Sequence, residues 1–138
     1  MKNYKEFILI GIGLIVLALV LNSFRKKSTS EVPKPPELPL PAPANITEEQ
    51  ARMIAESCFN TMKALFKDES KMLDQLVQYG AGDLTLIWNS FNEYYSTVPV
   101  LKLGLQPFGS FGSALIRECN TKEIEKARNI FSKAGIYF

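Results

Sequence analysis

Apolar and polar positions divide the chain into three unlike stretches. In the first, residues 7–24 read FILIGIGLIVLALVLNSF, and every position from Phe7 to Leu21 is apolar or glycine. Eighteen helical residues at about 1.5 Å each span roughly 27 Å, close to the hydrocarbon thickness of a bilayer. A core helix this uniform would need a larger domain around it than the chain supplies. A cleaved secretory signal would end in small residues, whereas this run meets Asn22, Phe24 and then Arg25-Lys26-Lys27. The pattern predicts an uncleaved single-pass anchor over 7–24, after a short flank at 1–6. Its lipid-facing residues are Phe7, Ile8, Leu9, Ile10, Leu14, Ile15, Val16, Leu17, Leu19, Val20 and Leu21, with Arg25, Lys26 and Lys27 at the membrane interface. Counting Lys34 with these three against Lys2, Lys5 and the terminal amine, the positive-inside rule leans towards a cytoplasmic C-terminal part.

The second stretch has no periodicity. Six of the eight prolines lie in VPKPPELPLPAPA, residues 32–44. Polyproline II advances about 3.1 Å per residue, so a free segment of this length would reach on the order of 40 Å. Residues 25–45 are therefore expected to be a basic stop followed by an extended strut. P-x-x-P matches occur within it (Pro33 to Pro36, Pro36 to Pro39), but such matches are nearly unavoidable where prolines are this dense.

The third stretch, 46–138, is helical in pattern. Thr47-Glu48-Glu49-Gln50 has the form of a capping box, and Ala51, Ile54, Ala55, Cys58, Phe59, Met62, Leu65 and Phe66 follow at i, i+3, i+4 and i+7 spacings. Asp68 is placed to cap a second helix bearing Met72, Leu73, Leu76 and Val77, stopped by Gly80 and Gly82. Asp83 is placed to cap a third, with Leu84, Ile87, Trp88, Phe91, Tyr94 and Tyr95 on one side. From Ser96 to Ser113 the pattern fails, and helicity resumes near Ala114. A last helix starts at Thr121, with Ile124, Ala127, Ile130 and Phe131 inward and Gly135 as its C′ residue. The terminal Ile136-Tyr137-Phe138 is expected to tuck into the fold. The fold class is mainly α: a transmembrane helix, a proline-rich linker, and a bundle of about four to five short helices with one long irregular loop. That loop is apolar, and Val100, Leu101, Leu103, Leu105, Phe108 and Phe111 either cover their own core or form a partner-docking lip.

Charge and composition narrow the chemistry. Residues 1–45 hold six basic and three acidic side chains, while the remainder holds ten and eleven. The folded part has no basic excess to neutralise phosphates, so no nucleic-acid partner is expected. The chain contains no histidine, which removes the commonest general base and metal ligand. Cys58 and Cys119 are too few for a closed zinc site; they form one bridge or remain buried thiols. Glu56, Asp74, Glu93 and Glu118 could serve glycosidase chemistry, but no spacing selects a pair. Gly109-Ser110-Phe111-Gly112 lacks the strand and the lysine of a phosphate loop. No catalytic residue, metal, cofactor or small-molecule substrate is expected. Asn45-Ile46-Thr47 matches a glycosylation acceptor, with helix capping as the competing role for Thr47.

Three segments, ARMIAESCFNTMKALFKDESKMLDQLV, GDLTLIWNSFNEYY and ALIRECNTKEIEKARNIFSKAGIYF, together resemble the small annexin-like helical domain of Bacteroidota and their phages. The resemblance covers roughly residues 47–138 and lies in helix order and spacing. It implies a membrane helix and proline linker ahead of the domain, as found here. Where annexins place a glycine-rich acidic calcium loop, this chain has Leu65-Phe66-Lys67-Asp68-Glu69, without glycine and with a lysine among the acids. Calcium needs six to eight oxygens in a tight turn, so no metal is expected there. The resemblance implies a non-enzymatic adaptor partnered by a lipid bilayer and by a capsid or envelope protein. Its location would be a virion internal membrane, joining membrane to shell, or a bacterial inner membrane. A membrane-tethered cell-wall hydrolase or lysis factor is the competing reading.

Overall fold

The computed structural model describes residues 32–138. The expected anchor at 7–24 and its flanking Arg25, Lys26 and Lys27 lie outside the described residues. Among the described residues no helix is long and apolar enough to cross a membrane.

The described chain is mainly helical, without strands: α1 (Glu48–Lys63), α2 (Glu69–Leu76), α3 (Ala81–Tyr94), α4 (Phe111–Glu118) and α5 (Thr121–Ser132). A single 3-10 turn (Leu101–Leu103) interrupts the loop between α3 and α4. Caps punctuate these elements. Thr47 and Gln50 close the expected capping box on α1, and Asp68 accepts from the Lys71 N–H at α2. The last helix starts at Thr121 as expected, and Asn120 caps it in a second capping box with Glu123. At the other end of α5, Gly135 has φ +70°. Its N–H bonds to the Ser132 carbonyl at 3.0 Å, and the Ile136 N–H reaches the Phe131 carbonyl at 3.1 Å. This is a Schellman closure with a left-handed glycine at C′.

Helix α3 is the central element. Its Phe91 ring stacks on Phe111 of α4 at 4.3 Å and meets Phe59 of α1 edge-on at 6.1 Å. Trp88 packs against Phe111, Phe131 and the terminal Phe138. Ile136 and Phe138 tuck in as expected, while Tyr137 points to solvent. Helices α1 and α3 form the most extensive pairing. Their N-terminal ends meet where Ile46 bonds to Asp83, and further along Phe59 lies 5.3 Å from Tyr95. The two helices therefore run in the same direction.

The proline segment is not a free strut. Lys34 pairs with Glu93 at 2.9 Å. The Leu38 N–H donates to Asn89 Oδ1 at 2.9 Å, and Asn89 Nδ2 donates back to the Leu38 carbonyl at 2.8 Å. The N–H groups of Asn45 and Ile46 both donate to Asp83 Oδ1, at 2.6 and 3.1 Å. As residue numbers rise along the segment, those of its α3 partners fall, so it lies antiparallel on α3 as a strap. Val32–Phe138 accordingly forms one compact unit, which takes in the proline segment ahead of the boundary expected at residue 46. Proline lacks an N–H, but the residues between prolines keep theirs, and α3 supplies the acceptors.

This docking explains two departures at the start of α3. The helix begins at Ala81 after an N-cap at Gly80, and Asp83 is not its cap. Asp83 stands inside the first turn, buried, with its carboxylate turned outward to the strap. A Cβ on Gly82 would stand 2.5 Å from the Ala42 carbonyl oxygen and 2.6 Å from that of Pro43. Only glycine allows the strap backbone so close. Elsewhere, α4 starts at Phe111 rather than near Ala114, because the Ser110 hydroxyl caps it and buried Asn92 accepts from the Phe111 N–H at 2.8 Å.

Asp83→Ala is expected to leave two strap amides without their acceptor, costing roughly 1–3 kcal/mol, read by denaturant unfolding. Gly82→Ala should lift the strap, seen as faster hydrogen exchange at the Asn45 and Ile46 amides.

Candidate docking surface

The α1–α2 connection and the α3–α4 loop meet at one end of the domain. Helix α1 stops at Lys63, so Leu65 and Phe66, which continue its apolar periodicity in the sequence, leave the helix and face solvent. They are 77% and 96% exposed, and across from them Leu101 and Leu105 are 83% and 62% exposed. The two turns adjoin because Lys102 Nζ donates to the carbonyls of Met62 and Ala64, at 2.5 and 3.0 Å. Leu105 has φ +67°, a left-handed conformation that is strained for a branched side chain. It follows the left-handed Gly104, and its N–H is held by the Val100 carbonyl at 3.0 Å.

The expected docking loop therefore divides. Val100, Phe108 and Phe111 belong to the core, and Leu103 packs half-buried against it. Only Leu101 and Leu105 remain available, and the fold adds Leu65 and Phe66. Periodicity alone places those two inward, because it cannot see where a helix ends. The signal for a turn there is Asp68, whose side chain caps the next helix and so requires the chain to leave α1 before it.

Beneath these side chains lies a cluster of charges. Glu118, at the end of α4, accepts from Lys67 and, at 2.5 Å, from Lys102. Lys67 also donates to the Glu118 carbonyl at 3.1 Å and pairs with Glu69 at 2.7 Å. Glu69 Oε1 is buried and held there by charge alone, without hydrogen-bond geometry. Burial would raise the Glu118 pKa, but its bonds from Lys102 and Lys67 prevail and hold it below the usual carboxylate range. Burial would likewise lower that of Lys67, yet Glu118 and Glu69 hold it above the usual lysine value. Three segments distant in sequence are thus joined at one carboxylate: the 62–69 turn, the 101–105 turn and α4.

The other carboxylates considered for acid–base chemistry do not converge on Glu118. Asp74 pairs with Lys126, Glu93 with Lys34, and Glu56 lines a shallow groove of about 620 Å³ between α1 and α2. That groove shares Met53, Ser57, Met72 and Gln75 with an adjoining hollow of about 360 Å³ over Cys58 and Tyr79. Among the described residues no three Cys, Asp or Glu gather at metal-binding range. Cys58 and Cys119 are free, buried thiols, and burial pushes each up to about 12, with Glu123 adding to the effect at Cys119. A thiol so protonated is a poor nucleophile.

No family model, no curated protein and no solved structure matches this chain.

The ion cluster should leave a signature in stability against pH. Lowering of the Glu118 pKa contributes stability that is complete above the ordinary carboxylate value, near 4.3, and is lost as pH falls through the folded value. Raising of the Lys67 pKa contributes stability that is complete below about 10.4 and is lost as pH rises through its folded value. Glu118→Gln is expected to flatten the acid limb of a Tm–pH profile, and Glu118→Ala to cost roughly 2 kcal/mol. In a separate measurement, neither cysteine should react with maleimide at neutral pH until the chain is unfolded.

Proposed function

We propose that this chain is a non-enzymatic, single-pass membrane adaptor that joins a bilayer to a protein component of a capsid or envelope assembly. The observation that carries the reading is the strap. With residues 34–46 fastened along α3, the nine residues 25–33 are all that separates the sequence-predicted anchor from the first fastened residue. Fully extended, nine residues reach about 30 Å. A tether that short serves a protein that must stay against its membrane. The strut expected from the prolines alone would have held the domain well away from it.

The α1–α2 groove is the face this reading leaves to a protein partner. Met53 rises from it exposed, Met72 forms its floor and Gln75 offers an amide, a mixed surface suited to an amphipathic helix. The setting we favour is a membrane-containing phage particle, from the family resemblance; the same architecture serves a bacterial inner-membrane assembly.

Two measurements test the proposal. The full chain should resist alkaline extraction from membranes, and deletion of residues 7–24 should release it. A photo-cross-linking residue in place of Met53 should give one discrete adduct with a shell or envelope protein in purified particles or membranes. Complete extraction of the full chain, or a smear of adducts at position 53, would sink the adaptor reading.

A further inference from the structure

We propose that the strap is a latch in two parts. Residues 42–46 form a clasp that stays closed, and residues 32–38 form an outer half that swings off α3 about a hinge at residues 39–41. The latch itself does not depend on the anchored reading above; its use, two lengths of tether for one domain, does.

The clasp is built to hold. Asn45 and Ile46 give their N–H groups to one oxygen of Asp83, a buried carboxylate, and the Ala42 and Pro43 carbonyls fill the space that Gly82 leaves. Ile46 also packs against the core. Opening this part would take the acceptor from two amides and disturb the start of α1.

The outer half is held in another way. Among the described residues its polar contacts with α3 are the exposed Lys34–Glu93 pair and the two bonds between Asn89 and the Leu38 backbone. An exposed ion pair adds little net stability, because water screens it and two long side chains must be immobilised. Amide hydrogen bonds traded for bonds to water add a modest amount each. No residue from 32 to 38 is buried. The half-buried ones, Val32, Pro35 and Leu38, fall three apart with exposed residues between them. Three residues is the repeat of polyproline II, a conformation that proline-rich chain keeps when free. One face of a stiff rod therefore rests on α3, and it leaves and returns with little ordering to do. Its departure uncovers Asn89, already half-buried, and Glu93, already exposed, and gives up a partial contact of Leu38 with the core.

The hinge separates the two parts. Pro39, Leu40 and Pro41 are all exposed, and the chain bends at Pro41 and Ala42. Rotation there moves the outer half without pulling on Asp83. With the outer half seated, residues 25–33 form the tether; with it released, residues 25–41 do. Full extension then rises from about 30 Å to about 55 Å. An assembly that draws the domain away from its bilayer meets this latch before it meets any helix.

Hydrogen exchange in the full chain, held in detergent micelles, tests the latch. Relative to intrinsic rates, the Leu38 amide should exchange at least about tenfold faster than those of Asn45 and Ile46, and low denaturant should leave its rate unchanged. Lys34→Glu, at an exposed position, sets like charges face to face. It should speed exchange at Leu38 about threefold in low salt and less in high salt, and Glu93→Lys in the same chain should restore the original rate. Asn45 and Ile46 should not respond to either change.

Equal protection at Leu38, Asn45 and Ile46 overturns the inference, because the strap is then one piece. Exchange at Leu38 only through global unfolding overturns it as well, as does a Lys34→Glu effect that reaches all three amides alike. Alkaline extraction of the full chain from membranes is instead a failure of the anchored reading, and it leaves the latch standing without the two tether lengths.

Discussion

The clasp between the strap and the first turn of α3 sets the geometry on which the rest depends. Asp83 places a carboxylate where the helix dipole favours negative charge and where two backbone N–H groups of the incoming chain need an acceptor. Gly82 beside it removes the one Cβ that would hold the strap off. Together they decide where α1 starts, that α1 and α3 run the same way, and at which end of the domain the chain enters. The ladder of contacts from Lys34 to Ile46 follows from that starting point, since the Asn89 amide can pair with the Leu38 backbone only when the strap runs antiparallel.

The second organising feature is the carboxylate of Glu118. Burying charge is costly, and replacing such a cluster with apolar residues is often neutral or stabilising. What apolar residues could not do is hold two turns at fixed separation while leaving their leucines and phenylalanine outside. Lys102 achieves this by reaching the backbone carbonyls left open at the end of α1, which are unsatisfied in any helix. The core contributes the rigidity behind it, through Phe91 and the aromatic side chains around it.

In the proposed function the two features act in sequence. The clasp shortens the tether, and the ion cluster holds the 62–69 and 101–105 turns together. A chain with the same helices but a free proline segment would have a longer reach from its sequence-predicted anchor.

Much of the helical domain is legible in the order of residues alone. The capping box at Thr47, the cap at Asp68, the glycine closure at Gly135 and the inward stripes of α1, α3 and α5 are local signals, decided within a few residues by hydrogen bonding and the 3.6 period. The departures share one cause. Pattern alone turns Leu65 and Phe66 inward, leaves Val100, Phe108 and Phe111 open between core cover and docking lip, makes Asp83 a cap and makes the prolines a strut. In each case the side chain or segment is controlled by a partner far away in sequence: Lys102 at the end of α1, the core beneath the loop, and α3 under the strap. By itself the sequence determined the helices, because helix formation is a matter of near neighbours. Tertiary structure alone decided where the prolines lie and which apolar residues stay outside, because both depend on donors, acceptors and space that only the folded chain brings together.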